Sequence, residues 1–266
     1  MILIRRGEIL SNYLIFIFGS FVGSFLNVCI SRLPEGKSII HPRSHCPHCK
    51  KTILWYDNLP LISYFLLGGR CRYCKTKISL RYFVVELLTA GLFLFLYLKY
   101  ELSVKFFIYS LLFSNLIIAT FIDFKFQIIP DVISVSGMFL GLLLSFVFPT
   151  IHGVSSHKLA VMDSLSGLLL GGGMIWLTGV LGKLIFKKEA MGFGDVKLMA
   201  MLGAFLGWKK IIFTFFLAPF LGLIFGIISL IKTKSHYIPY GPFLSLASFV
   251  SLIWGEKIWL LVTGYW

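Results

Sequence analysis

Long apolar runs separated by short polar stretches dominate the chain. They fall at about residues 9–30, 82–98, 106–122, 132–149, 163–186, 190–208, 211–231 and 243–262. A helix that crosses a bilayer needs roughly 20 mostly apolar residues, within a range of about 17–25. The pattern therefore predicts an all-α polytopic membrane protein with about eight transmembrane helices. Two runs are imperfect. The one at 190–208 opens on a Gly-Phe-Gly-Asp segment and is apolar only from Leu198, so seven spans, or a re-entrant segment, is the alternative count. The last is interrupted by Gly255, Glu256 and Lys257. The first run follows Arg5 and Arg6 but carries no small-residue cleavage site, which reads as a retained span rather than a removed signal.

Composition agrees with this layout. Of 266 residues, 58% are hydrophobic and only 14% charged, against about 45–50% and about 25% in soluble domains. A water-soluble enzyme, a disordered chain and a fibrous repeat are excluded. The net charge of +14 would suggest nucleic acid in a soluble protein, but its distribution gives another meaning. The 31–81 segment holds Arg32, Lys37, Arg43, Lys50, Lys51, Arg70, Arg72, Lys75, Lys77 and Arg81 against only Glu35 and Asp57. Such an excess marks a cytoplasmic loop. Alternating sides from there puts seventeen of the 25 basic residues inside. No nucleic-acid partner is expected; the partner implied is the lipid bilayer. The expected organisation is a first span at 1–30, a cytoplasmic module at 31–81 and a membrane domain at 82–266.

Within the loop, Cys46-Pro47-His48-Cys49 and Cys71-Arg72-Tyr73-Cys74 form two C-x-x-C pairs. Two short knuckles that each aim two thiolates at one ion suit tetrahedral zinc, and a reducing cytoplasm disfavours disulfides. Four protein ligands leave zinc no open position, so the predicted ion is structural rather than catalytic. His45 and His48 are alternative ligands that a full cysteine set makes unnecessary. Cys29, in an apolar run, reads as a small buried residue.

Carboxylates are few, 11 in all, and each one in or beside a span is conspicuous, because a charge there is costly and faces a polar interior. Glu86, Asp123, Asp163 and Asp195 qualify. Asp123 closes the third run ahead of Ile128-Ile129-Pro130-Asp131, and Asp195 sits in Met191-Gly192-Phe193-Gly194-Asp195-Val196-Lys197. Two crossings separate these segments, so both face one side of the membrane, the side of the cysteine loop. A carboxylate pair that shares one proton can supply a base for water and an acid for a leaving amine. The competing reading makes each aspartate a helix cap. Asp131, after Pro130, reads as a helix-start residue. Glu86 reads as a partner of Arg81 or a support of the cysteine module. The apolar stretch after Asp195, about 11 residues or roughly 16 Å of helix, is too short for a roughly 30 Å core, which implies a thinned or water-filled site.

Further motifs carry a resemblance. They are Gly19-Ser20-Phe21-Val22-Gly23-Ser24-Phe25-Leu26-Asn27-Val28, Arg32-Leu33-Pro34, Asn58-Leu59-Pro60, Ile78-Ser79-Leu80-Arg81-Tyr82, Val85-Glu86 and Tyr240-Gly241-Pro242-Phe243-Leu244. With the cysteine pairs and both aspartate segments, in this order, the chain resembles the bacterial type IV prepilin peptidases, bifunctional leader peptidase/N-methyltransferases. The resemblance implies that Asp123 and Asp195 are the catalytic dyad of a Gly-x-Gly-Asp aspartyl protease in the inner membrane, with its active sites facing the cytoplasm. Gly192, Gly194 and Lys197 then position substrate or backbone. It implies cleavage of the basic leader of prepilins or pseudopilins of pili and type II secretion, whose apolar helix lies in the bilayer. It further implies methylation of the new N-terminus with S-adenosylmethionine, for which Asn27, Arg32 and Glu86 are candidate residues. Phe193 and Tyr240 depart from the methionine and phenylalanine of many relatives. The readings from other classes are a membrane transporter regulated by a zinc-bearing domain and a non-catalytic scaffold for pilus assembly.

Overall fold

The computed structural model describes residues 2–187, 191–233 and 239–264. Among them the only regular elements are helical: α1 (Ile2–Arg32), α2 (Ile62–Leu66), α3 (Leu80–Tyr100), α4 (Val104–Phe126), α5 (Asp131–Val147), α6 (His157–Phe186), α7 (Phe193–Thr233) and α8 (Gly241–Thr263). Six stretches are long and apolar enough to cross a bilayer: Ile9–Glu35, Leu80–Tyr100, Val104–Phe126, His157–Phe186, Phe193–Ile227 and Gly241–Leu261. The apolar helix α5, with 17 residues, lies at the short end of the spanning range of about 17–25. The protein is a multi-pass membrane protein.

The chain forms two compact units, residues 1–118 and 119–266. In the first, α1 packs along α3. The Ser79 hydroxyl caps α3 by accepting from the Arg81 N–H at 3.3 Å, one of the orphan donors of a helix start. Between the two helices lies the cysteine loop, organised by 3₁₀ turns at Leu33–Glu35 and Trp55–Asn58 and by single β-bridges at His45 with Thr52 and Arg70 with Lys77. Cys29 is buried in α1.

The second unit holds the end of α4 and α5 to α8. Helix α4 stops where Gln127 turns left-handed (φ 55°) and donates its N–H to the Asp123 carbonyl at 3.0 Å. Pro130, extended at φ −62°, then leads into α5. Helix α8 has Pro242 in its first turn and ends on left-handed Gly264, the usual proline-first, glycine-last asymmetry.

The segments expected at 190–208 and 211–231 are two helical arms of α7 that meet at Gly207 (φ 79°, ψ 171°), where the chain doubles back: a Cβ on Gly171 of α6 would meet both Met199 O at 2.5 Å and Ile211 Cγ1 at 3.0 Å. A break orphans carbonyls of the preceding turn, and hydroxyls from neighbouring helices take them over. Ser164 donates to the Ala204 carbonyl at 2.6 Å, and Ser145 approaches the same oxygen at 3.4 Å. Asp163 of α6 lies against the break, so a Cβ on Gly207 would meet its Oδ2 at 2.1 Å. The same carboxylate stands 2.7 Å from Nδ1 of His152, whose Nε2 is 2.8 Å from the Ser145 hydroxyl. Residues 193–206 are thus a helix of about 21 Å, short of a full bilayer core, and Asp195 sits at its head.

Candidate active site and metal centre

Three chain segments of the second unit build the carboxylate site. Helix α4 presents Asp123 one turn before its end, and the side chain is 5% exposed. Its Oδ2 accepts the backbone N–H of Gly241, the first residue of α8, at 2.9 Å. A Cβ on Gly241 would lie 2.8 Å from that oxygen, so glycine lets the helix start approach the carboxylate. Asp195 lies in the first turn of α7, where its N–H donates to the Gly192 carbonyl at 3.1 Å and its Oδ2 lies 3.4 Å from where a Cβ on Gly192 would stand. Asp123 and Asp195 are close enough for their charges to act on one another.

The third segment is the connection between α4 and α5. Ile129, nine-tenths buried, touches both neighbours: a Cβ on Gly194 would stand 3.3 Å from its Cβ, and one on Gly241 3.4 Å from its Cδ1. It is an apolar spacer, a role that an isoleucine in a polar connection does not advertise. Tyr240 also belongs here. Its hydroxyl is buried without a hydrogen-bond partner, and the charge of Asp195 reaches it. Lys197 points elsewhere, its Nζ 2.6 Å from Asp131 Oδ1. The pair ties α5 to α7 and accounts for Asp131 without a place among the buried carboxylates.

The four loop cysteines converge in the first unit. All four sulfurs lie within 4.8 Å of one another, with Cys46 to Cys74 at 3.7 Å and Cys49 to Cys71 at 3.9 Å. Sulfurs at tetrahedral corners about 2.3 Å from one zinc ion stand about 3.8 Å apart, so the cluster fits such an ion. Each knuckle closes alike. The Lys50 N–H donates to the Cys46 carbonyl and the Lys75 N–H to the Cys71 carbonyl, at 2.9 and 3.0 Å, and both lysines are left-handed at φ 58°. His45 and His48 are not among the converging ligands.

The remaining candidates surround the roots of this module. Glu86, buried in α3, accepts the Leu61 N–H at 2.8 Å, so it supports the module; Arg81 instead donates to the Ser31 hydroxyl at 2.9 Å. Leu61 is a strained residue (φ 62°, ψ −51°), and Ile62 donates across it to the Pro60 carbonyl at 2.6 Å. The buried carboxylate holds this tight turn in place. Arg32 is committed to the Ser38 and Pro42 carbonyls at 2.9 and 2.6 Å. Asn27 donates to the Tyr82 carbonyl at 3.0 Å, while its own Oδ1 is buried without a partner. At the other end of the module the Arg72 guanidinium grips Asp57 with two hydrogen bonds, 2.6 and 2.5 Å, and holds that carboxyl below the usual aspartate range.

Comparison with known proteins covers nearly the whole chain. The family model of the bacterial peptidase A24 N-terminal domain matches residues 17–100, and that of the type IV leader peptidase family matches residues 110–227. A prepilin leader peptidase/N-methyltransferase of Aeromonas salmonicida is 36% identical over 94% of this chain and 94% of its own. One from Pseudomonas aeruginosa is 34% identical, covering 91% of this chain and 90% of its own. The type 4 prepilin-like proteins leader peptide-processing enzyme of Escherichia coli is 35% identical over 88% and 90%. No solved structure matches the chain. With such identity along nearly its whole length, the chain belongs to the type IV leader peptidase family.

Proposed function

We propose that the protein is a membrane-embedded aspartic endopeptidase that removes the leader of prepilins or pseudopilins at the cytoplasmic face, and then N-methylates the new N-terminal residue. The observation that carries the first activity is the approach of Asp123 and Asp195, one from the end of a spanning helix and one from the head of a helix too short to span. The division of labour follows the expected organisation, with residues 31–81 serving methylation and residues 82–266 serving cleavage.

For cleavage, one carboxylate of the pair is ionised and the other protonated, the arrangement that two neighbouring like charges favour. The ionised one takes a proton from water as its oxygen bonds to the carbonyl carbon, while the protonated one donates to the carbonyl oxygen. Collapse breaks the C–N bond, and the proton passes to the leaving amine. The pair acts as one titrating unit and gives a bell-shaped pH–rate profile. The Gly241 N–H orients Asp123, and Ile129 fills the space between Gly194 and Gly241. Membership of a peptidase family leaves the transporter and scaffold readings without support.

For methylation, S-adenosylmethionine supplies an electrophilic methyl group to the new amine when bound. Among the three candidates, Asn27 offers a buried oxygen with no partner, whereas Arg32 and Glu86 are committed to backbone groups. Cys46, Cys49, Cys71 and Cys74 hold a structural zinc ion that fixes the module. Incubating the purified protein with a prepilin, followed by mass spectrometry, tests both activities. Asp123→Asn and Asp195→Asn should each stop cleavage. Cleavage by either variant would remove the dyad assignment.

A further inference from the structure

Next to the carboxylates lies a cavity that the proposed chemistry does not use. Its volume is about 410 Å³, and it is lined by Pro219, Gly222, Leu223, Gly226 and Ile227 of α7 together with Tyr240 and Phe243 at the head of α8. The five α7 positions are spaced i, i+3, i+4, i+7 and i+8, which places them on one helix face. Eight residues separate the ends of this row, so the cavity is a groove about 12 Å long. Gly222 and Gly226 contribute no side chains to it. Leu223 and Ile227 rise on one flank, 61% and 51% exposed.

One end of the groove is the carboxylate site. Tyr240 lines the groove, and the charge of Asp195 reaches it. Gly241, the next residue, donates to Asp123 at 2.9 Å. A row of rings makes the same connection. Phe243 of the groove is 5.5 Å from Phe225, and Phe225 is 6.5 Å from Phe124, the neighbour of Asp123. From this end the groove follows α7 away from the carboxylates.

We propose that this groove seats the apolar helix of the substrate, taking about the first two turns that follow the scissile bond. The inference rests on the peptidase reading above and deepens it. Three features select a helix as occupant. Apart from the Tyr240 hydroxyl the walls are apolar, so the guest must satisfy its own backbone groups, which a helix does. The two glycines lower the wall, and small residues let a second helix backbone come close. The groove also starts at the carboxylates, and a helix that begins at the cut bond must lie in a channel that does so. The second candidate guest, a lipid acyl chain, has no reason to begin there.

The test fills the groove. A Cβ on Gly222 would meet Phe243 at an ordinary 3.6 Å, so a larger side chain there fills the groove against that ring, while Gly226 beside it is buried. Enzyme in lipid nanodiscs is given two substrates: a full prepilin, and a leader peptide that ends a few residues past the cut. Gly222→Leu with Gly226→Leu should lower the preference for the full substrate, the ratio of the two kcat/KM values, by about tenfold, the size of a helix–helix contact of one to two kcal/mol. The loss should fall in KM. In the non-cutting Asp195→Asn background the same pair of changes should weaken prepilin binding by a similar factor, whichever residues perform the chemistry. An unchanged ratio and unchanged binding would assign the groove to lipid and overturn the proposal. Equal loss on both substrates would also overturn it, as damage to the site as a whole. Cleavage that survives Asp123→Asn or Asp195→Asn bears instead on the dyad and leaves the groove measurement intact.

Discussion

Single residues set the geometry of the carboxylate site, and glycine does so through what it lacks. At Gly241 a methyl group would stand 2.8 Å from Asp123 Oδ2, nearer than real Cβ contacts allow. Gly241→Ala must therefore move either the head of α8 or the carboxylate itself. We expect kcat to fall about a hundredfold, the loss that an ångström of misplacement brings, with KM for prepilin nearly unchanged. A variant that cleaves at the normal rate would show that the N–H contact to Asp123 has no part in catalysis. At the same scale the sequence was informative about chemistry and silent about geometry. Asp123 and Asp195 stand out because acids are rare in a chain this apolar. Ile129 and Tyr240 do not, since an isoleucine and a tyrosine beside membrane helices are ordinary until folding sets one against Gly194 and Gly241 and the other within reach of the Asp195 charge.

Among elements, polar residues inside apolar runs were the ambiguous signal. Lys209 and Lys210 lie where two spans are expected to meet, and they open the second arm of α7 just past the turn at Gly207; Lys210 is buried with its Nζ 2.8 Å from Glu256 of α8. The acid that interrupts the last run is thus the partner of the base that divides the earlier one. Each looks like a break when read alone; together they are an interhelical pair. The true break lies at Gly207, and the Asp163, His152 and Ser145 that surround it come from three separate stretches of chain. Gly207→Ala should be severely destabilising. Its φ of 79° costs a non-glycine residue about 1–3 kcal/mol, and the added methyl collides with Asp163. Thermal unfolding in nanodiscs reads this as a lower midpoint; an unchanged midpoint would mean that the break moves easily. The cysteine knuckles, by contrast, were fully legible, because their ligands are adjacent in sequence and only the final convergence needed folding. The Asp57 carboxyl beside Arg72 adds a pH dependence to this module. Its folded pKa lies below the unfolded value, so the contribution is present above the unfolded range near pH 4 and is lost as the pH falls through the folded value. Asp57→Asn should flatten the acid side of the module's proteolysis profile while changing neutral-pH stability by less than about 1 kcal/mol.

For the molecule as a whole, the two compact units suggest that the two activities can be separated. The four converging cysteines lie in the unit of residues 1–118 and the carboxylates in the unit of residues 119–266. A four-thiolate ion is a folding element, so its removal unfolds the loop that it closes and leaves the helices of the other unit with their own hydrogen bonds. Chelation, or Cys71→Ser, should therefore abolish methylation and make residues 31–81 sensitive to protease, while cleavage of prepilin persists. Asp195→Asn should do the reverse, methylating a substrate supplied already cut and leaving the uncut one untouched. Mass spectrometry of the products distinguishes the three species: uncut, cut, and cut with one added methyl. Loss of cleavage on chelation, with methylation of pre-cut substrate retained, would reverse the assignment of the two units. Loss of both activities would show that the module also positions the substrate for the carboxylates.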